Sequence, residues 1–283
     1  MSDSPTSQET VLQAQVIPLS LTVFVCGVLV SLLWVEITLV NQFTLTPVHL
    51  EIRWWDVAIG LTIYLKTSVD FAIYIGNLMA KHHGWKNRVA IEIGTALGNG
   101  VGTMAILVVW AFFKEVRWLL ALMVTIASFV LLRLAEDSLE HATKRDAPLA
   151  SSWVVIIARA IERFLRPINR LFLPIVQYIL PDLKMKSVGR GTFAAVFSLA
   201  FSVPFILGLD DFAGYVTLFN VVNVFGFAIG VFVGHMILNI FLYLSPSRTI
   251  QAVKNPVIAL FGSVAFIGIA AWGLLEVIHI IGW

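Results

Sequence analysis

The chain has 283 residues, of which 59% are hydrophobic and 13% charged, with a formal net charge of +2. Soluble domains carry about a quarter charged residues, so the composition excludes a water-soluble enzyme or nucleic-acid-binding protein and points to a polytopic membrane protein. The one cysteine, Cys26, cannot supply an intrachain disulfide or a thiolate metal site.

Residues 1–15 form a polar tail without Lys or Arg. A secretory signal needs a basic start, so the first apolar run is expected to stay in the protein. Crossing a hydrocarbon core takes roughly twenty helical residues. Seven runs are read as spans: Val16 to Val40, Trp55 to Ala80, Val89 to Phe113, Trp118 to Leu134, Thr192 to Phe219, Val221 to Leu244 and Val257 to Ile281, the fifth and sixth joined by a short hairpin. Between the fourth and fifth, residues 135–151 read as a solvated helical extension and linker. In residues 153–170 apolar positions surround Arg159, Arg163, Arg166 and Arg170, whose four-three-four spacing lines one helical face. This predicts an amphipathic helix laid on the inner leaflet, arginines toward lipid phosphates, with Pro167 and Pro174 interrupting it. The chain thus divides into a tail (1–15), an extra first helix and loop (16–54), a three-helix unit (55–134), a linker with the amphipathic helix (135–190) and a second three-helix unit (191–283).

Cations gather on one side of these spans. Lys81, Lys86, Arg88, the basic residues from Arg133 to Arg190, Arg248 and Lys254 face only Arg53, Lys114 and Arg117 on the other. The positive-inside rule then places the N-terminus in the cytoplasm and the C-terminus outside. A bacterial inner membrane is the expected location.

An internal duplication runs through the chain. Asp70-Phe71-Ala72-Ile73-Tyr74 recurs 141 residues later as Asp211-Phe212-Ala213-Gly214-Tyr215. Gly94-x-x-x-Gly98 recurs 136 residues later as Gly230-x-x-x-Gly234, which sets Asn99 opposite His235 and Thr103 opposite Asn239. Collinear recurrence of this kind marks a repeat. Each unit has three spans, so the second enters the membrane from the opposite face. The expected fold is an all-α polytopic membrane protein: seven transmembrane helices in an inverted three-plus-three repeat, with one extra N-terminal helix and a cytoplasmic amphipathic helix. In such folds substrate sites form near the midplane, where the halves meet.

A carboxylate at the bilayer centre costs at least about 2.5 kcal/mol, so Asp70 and Asp211 are expected to face a cavity and a partner. Hard cations prefer oxygen ligands, and the neighbourhood offers Asp210, Asn99, Thr95, Thr103, Asn220, Asn223 and Asn239. His235 adds a nitrogen suited to a transition metal, which makes Asp70, Asp211 and His235 the metal-ligand set. For each amide taken alone, interhelical hydrogen bonding is the plainer role. Lys66 precedes Asp70 by four residues on the same helical face, as a structural ion pair or a built-in counter-cation. Glu92 either pairs with Arg88 or lines a proton path. Gly94, Gly98, Gly230 and Gly234 allow close helix packing.

Thr67-Ser68-Val69-Asp70-Phe71 and Leu209-Asp210-Asp211-Phe212, each followed by a Gly-x-x-x-Gly helix, resemble the lysine exporter superfamily of small transporters. Within it the likeness is to the tellurium-resistance TerC-like and cadmium-resistance transporter families, over spans two to seven. The resemblance implies an inverted-repeat exporter of a divalent cation such as manganese or cadmium, with Asp70 and Asp211 as ligands. Phe71 and Phe212 depart from TerC-like members, where an amide usually follows the aspartate.

Other chemistries fit the sequence less well. An intramembrane aspartyl protease lacks its Tyr-Asp pair, since Val69 precedes Asp70, and haem ligation would rest on His235 and His279. No zinc-protease pattern, phosphate loop or nucleophile elbow is present. The expectation is a secondary transporter rather than an enzyme, with no cofactor, surrounded by membrane lipids and exchanging a cation for protons. It has no nucleic-acid partner and leaves room for a homo-oligomer. A small organic substrate and a non-transporting scaffold are the alternatives.

Overall fold

The computed structural model describes residues 16–82, 85–143, 152–179, 193–253 and 255–282, and within them the side chains of 17–18, 70, 141–143, 152, 173, 175–179, 207–214 and 253 lie outside the description. The described chain is helical: α1 (Ile17–Val40), α2 (Trp54–Thr67), α3 (Val69–Lys81), α4 (Trp85–Phe113), α5 (Arg117–Thr143), α6 (Ser152–Ile179), α7 (Phe193–Tyr215), α8 (Val224–Leu244), α9 (Pro246–Val253) and α10 (Pro256–Gly282). Among the described residues α1, α4, α5, α8 and α10 are each long and apolar enough to cross a membrane, and the bent pair α2 and α3 makes a sixth span if counted as one. This is an integral-membrane architecture.

The second predicted span is not one straight helix. Its two pieces meet at Ser68 with a 65° bend. The sequence explains the break: the Ser68 amide (3.0 Å), the Ser68 hydroxyl (2.7 Å) and the Thr67 hydroxyl (3.1 Å) all donate to the Tyr64 carbonyl. Hydroxyls bonding back one turn compete with the helical ladder and bend it. Lys66 and Asp70 therefore lie on either side of the break and not on one continuous helix, and their expected pairing falls on the Asp70 side chain, outside the described residues. The hairpin expected between spans five and six begins later, because α7 runs to Tyr215 and a 3-10 turn (Val216–Leu218) follows. Asn223 then caps α8, its Oδ1 accepting from the Gly226 amide at 3.1 Å.

Three helix pairs dominate the bundle: α4 with α7, α2 with α8, and α5 with α10. The first two are glycine seams. A Cβ added at Gly94 would lie 2.9 Å from the Phe197 carbonyl oxygen, and one at Gly98 would lie 2.3 Å from that of Phe201. On α8, a Cβ at Gly230 would lie 2.1 Å from the Val57 oxygen, and one at Gly234 would lie 3.0 Å from the Tyr64 ring. Only hydrogen at these positions lets backbones approach so closely. The extra helix α1 rests on α4 and α8 through buried Leu29, Leu33 and Ile37.

α6 is one continuous helix with Pro167 and Pro174 inside it, not the interrupted segment expected. Both prolines are exposed, so any bend they impose is taken up away from the packed face. Nor does the helix lie free on a surface. It runs antiparallel along α5, with Phe172 stacked on Phe129, Asn169 Nδ2 donating to the Leu132 carbonyl (3.1 Å) and to Glu136 (2.6 Å), and Arg166 3.9 Å from Glu136. Three stripes account for this. Val154, Ala158, Leu165 and Asn169 are buried against protein, Arg159, Arg163, Arg166 and Arg170 are exposed, and Ile156, Phe164 and Leu171 form a second exposed, apolar stripe.

Candidate functional site

α4 and α8 are almost wholly apolar, yet each carries polar residues spaced by three or four along one face: Arg88, Glu92, Thr95, Asn99 and Thr103 on α4, and His235, Asn239 and Tyr243 on α8. That spacing stacks them in a line, and the packing of the two helices buries it. Glu92, Thr95, Asn99, Thr103, His235 and Asn239 are all at most 4% exposed.

A continuous hydrogen-bond chain crosses from α2 through α8 to α4. Tyr64 Oη lies 2.7 Å from His235 Nδ1. Asn239 Nδ2 donates to His235 Nε2 (3.1 Å) and to Thr95 Oγ1 (3.2 Å), and Thr95 Oγ1 donates to the Glu92 carbonyl (3.0 Å). These directions close with the imidazole proton on Nδ1, aimed at Tyr64. Phe71, the residue after Asp70, packs on the His235 ring at 4.9 Å between centroids and helps keep water off it.

Both His235 nitrogens are thus held by protein groups, and a metal at this ring would have to displace Tyr64 or Asn239. Several buried atoms along the same line have no partner among the described residues: Asn99 Nδ2, Thr103 Oγ1, Asn239 Oδ1 and Glu92 Oε2. Native proteins satisfy nearly all such groups, so an orphan set invites water or a ligand. Arg88 turns its guanidinium onto the Tyr243 ring, 5.0 Å from the centroid. Among the described residues no ion pair joins it to Glu92.

The remaining candidates are dispersed. The side chains of Asp70, Asp210 and Asp211 lie outside the described residues, and among the described ones no three His, Cys, Asp or Glu groups converge as metal ligands. Lys66 packs between α2 and α10, where a Cβ added at Gly262 would meet its Cε at 1.5 Å. Asn220 reaches Glu276 at 3.5 Å, and Asn223 Nδ2 donates to the His49 carbonyl at 3.2 Å, so both serve as links between elements. His279 is exposed and bonds the Leu275 carbonyl.

Sequence reasoning missed four residues here. Tyr64 bonds His235, the Thr67 hydroxyl at the end of α2 bonds the Tyr215 hydroxyl at the end of α7, and Glu36 in α1 has a buried Oε2 with no partner among the described residues. Glu36 had a readable signal, being a lone carboxylate inside an apolar span. Tyr64, Thr67 and Tyr215 had none, because their partners are over a hundred residues away in sequence.

Near the α4–α5 turn a second feature appears, a cavity of about 280 Å3 lined by His49, Glu51, Arg53, Trp110, Lys114 and Asn220. The Lys114 ammonium sits 4.8 Å from the Trp110 ring centroid. Burial holds Lys114 below the usual lysine range, with the Glu115 charge opposing. Beside it, the Thr46 amide and then its hydroxyl donate to Glu115 and lower that carboxyl.

No protein-family model, no curated protein and no solved structure matches this chain.

Proposed function

We propose that the protein is a secondary-active transporter of seven spans, built as an inverted three-plus-three repeat like the lysine exporter superfamily. It exports a small divalent cation, such as manganese or cadmium, in exchange for protons. The observation that carries this reading is the crossed pairing of the halves. Exchange the repeats, span two for five, three for six, four for seven, and the α2–α8 pair becomes the α7–α4 pair while α5–α10 maps onto itself. The glycine seams exchange with them, Gly94 and Gly98 against α7 for Gly230 and Gly234 against α2. Two-fold exchange of this kind is what an inverted repeat produces.

A broken helix and a buried polar line meet at that pseudo-symmetric centre. The break at Ser68, two residues before Asp70, interrupts the helix with a 65° bend beside the candidate carboxylate. The orphan atoms of Asn99, Thr103 and Asn239 stand along the adjoining α4–α8 interface. In the proposed cycle the halves rock around Asp70 and Asp211, cation and protons compete for the carboxylates, and Glu92 leads protons toward the cytoplasmic end.

The test is binding of manganese, cadmium, zinc and calcium to the purified protein by calorimetry, with counterflow into proteoliposomes. Binding that releases protons and disappears in Asp70→Asn with Asp211→Asn is expected. Metal uptake by the double variant at the wild-type rate overturns the site.

A further inference from the structure

A groove of about 550 Å3 lies between α2, α8, α9 and α10, a volume ordinary for a ligand site. Its walls are apolar, and Phe241, Leu244 and Ile258 remain 57%, 55% and 45% exposed. The groove therefore opens sideways on the apolar flank of the bundle, where acyl chains lie. It is separate from the Tyr64–His235–Asn239 chain, and its occupancy does not depend on the transport reading.

Two cations line it, Lys66 and Arg248. Lys66 Nζ is buried and makes no hydrogen bond among the described residues, while Arg248, on α9, is exposed. Among the described lining residues none is acidic. An ammonium in such surroundings is expensive unless an anion meets it. We propose that the groove binds an anionic membrane lipid, its phosphate facing Arg248 and Lys66 and an acyl chain lying along Leu238, Phe241, Leu244 and Ile258.

Charge complementarity selects this occupant. Apolar walls with two cations match an amphiphile that is anionic at one end and hydrocarbon at the other. A zwitterionic lipid would bring a second cation against Arg248, and an apolar helix of another protein would leave Lys66 Nζ unpaired. A free inorganic anion would satisfy the charges and leave the walls uncovered. Long basic side chains at a membrane boundary reach anionic headgroups in this way.

The test uses the full chain in detergent, titrated with dioctanoyl phosphatidylglycerol, with dioctanoyl phosphatidylcholine and with inorganic phosphate, and read by native mass spectrometry. Phosphatidylglycerol is expected to bind one to one, at least tenfold more tightly than the choline lipid, and to weaken at least tenfold in Arg248→Gln and in Lys66→Met. Arg248 is exposed, so its variant keeps the fold and stands if Lys66→Met does not. Equal affinity for the two lipids, equally tight inorganic phosphate, or phosphatidylglycerol binding unchanged by both substitutions overturns the proposal.

Discussion

Replacing Gly230 by alanine is expected to weaken the protein, and the same change at Gly27 or Gly268 to strengthen it. A Cβ at Gly230 falls 2.1 Å from the Val57 oxygen, 2.8 Å from the Leu61 nitrogen and 2.9 Å from the Val57 carbonyl carbon, all backbone atoms. No rotamer can relieve a backbone contact, so α2 and α8 must separate by about 1 Å to restore ordinary spacing. Overpacking of this sort costs about 1–3 kcal/mol. The helix-propensity gain of alanine over glycine, about 1 kcal/mol, offsets part of it, leaving a net loss near the upper end of about 2 kcal/mol. With roughly 2–4 °C per kcal/mol for chains of this size, the apparent melting temperature should fall by about 4–8 °C. Gly27 and Gly268 have nothing within 4 Å of an added Cβ, so alanine there keeps only the gain. Melting of the detergent-solubilised protein, followed through its 9 tryptophans, measures all three. If Gly230→Ala melts at or above wild type alongside Gly27→Ala, the α2–α8 seam is not the backbone contact described.

Three further expectations follow from the geometry. Tyr64→Phe leaves the His235 Nδ1 proton buried without an acceptor, a loss of about 1–3 kcal/mol. A double-mutant cycle with His235→Phe should return a coupling of at least about 0.5 kcal/mol, and strict additivity would remove the bond from the account. The Thr46 bonds to Glu115 lower that carboxyl, so their contribution is present above the ordinary glutamate value of about 4.3 and is lost as pH falls through the lowered one. Amide exchange at Thr46 should accelerate only in that acid window, and Glu115→Gln should flatten the profile. Neutralising Arg159 and Arg163 together, on the exposed basic stripe of α6, should reduce retention on anionic vesicles while metal counterflow stays within about twofold of wild type, since exposed charges contribute little to stability. Complete loss of counterflow would tie the stripe to transport itself.

Composition and run length were enough to indicate an all-helical membrane protein, because the cost of burying polar backbone in lipid acts on each segment alone, but not the break in its second predicted span. The polar stripes of α4 and α8 were also legible, as residues three and four apart must share a face. Local spacing misled where a local assumption failed. The spacing of Lys66 and Asp70 implies one helix, and nothing in the hydropathy reports the three donors converging on the Tyr64 carbonyl. Pro167 and Pro174 imply breaks by type alone, whereas their tolerance inside α6 depends on which face of it meets α5. Asn223 offers an oxygen to the expected site by position alone, and its capping of α8 depends on where that helix starts. What the chain's own order of residues determined was each helix and the side chains it presents. Which of them meet, Tyr64 with His235 and Asn239 with Thr95, only the tertiary structure decided, because those partners sit on helices far apart in sequence that packing brings together, through the glycine seam of α2 and α8 in the first case.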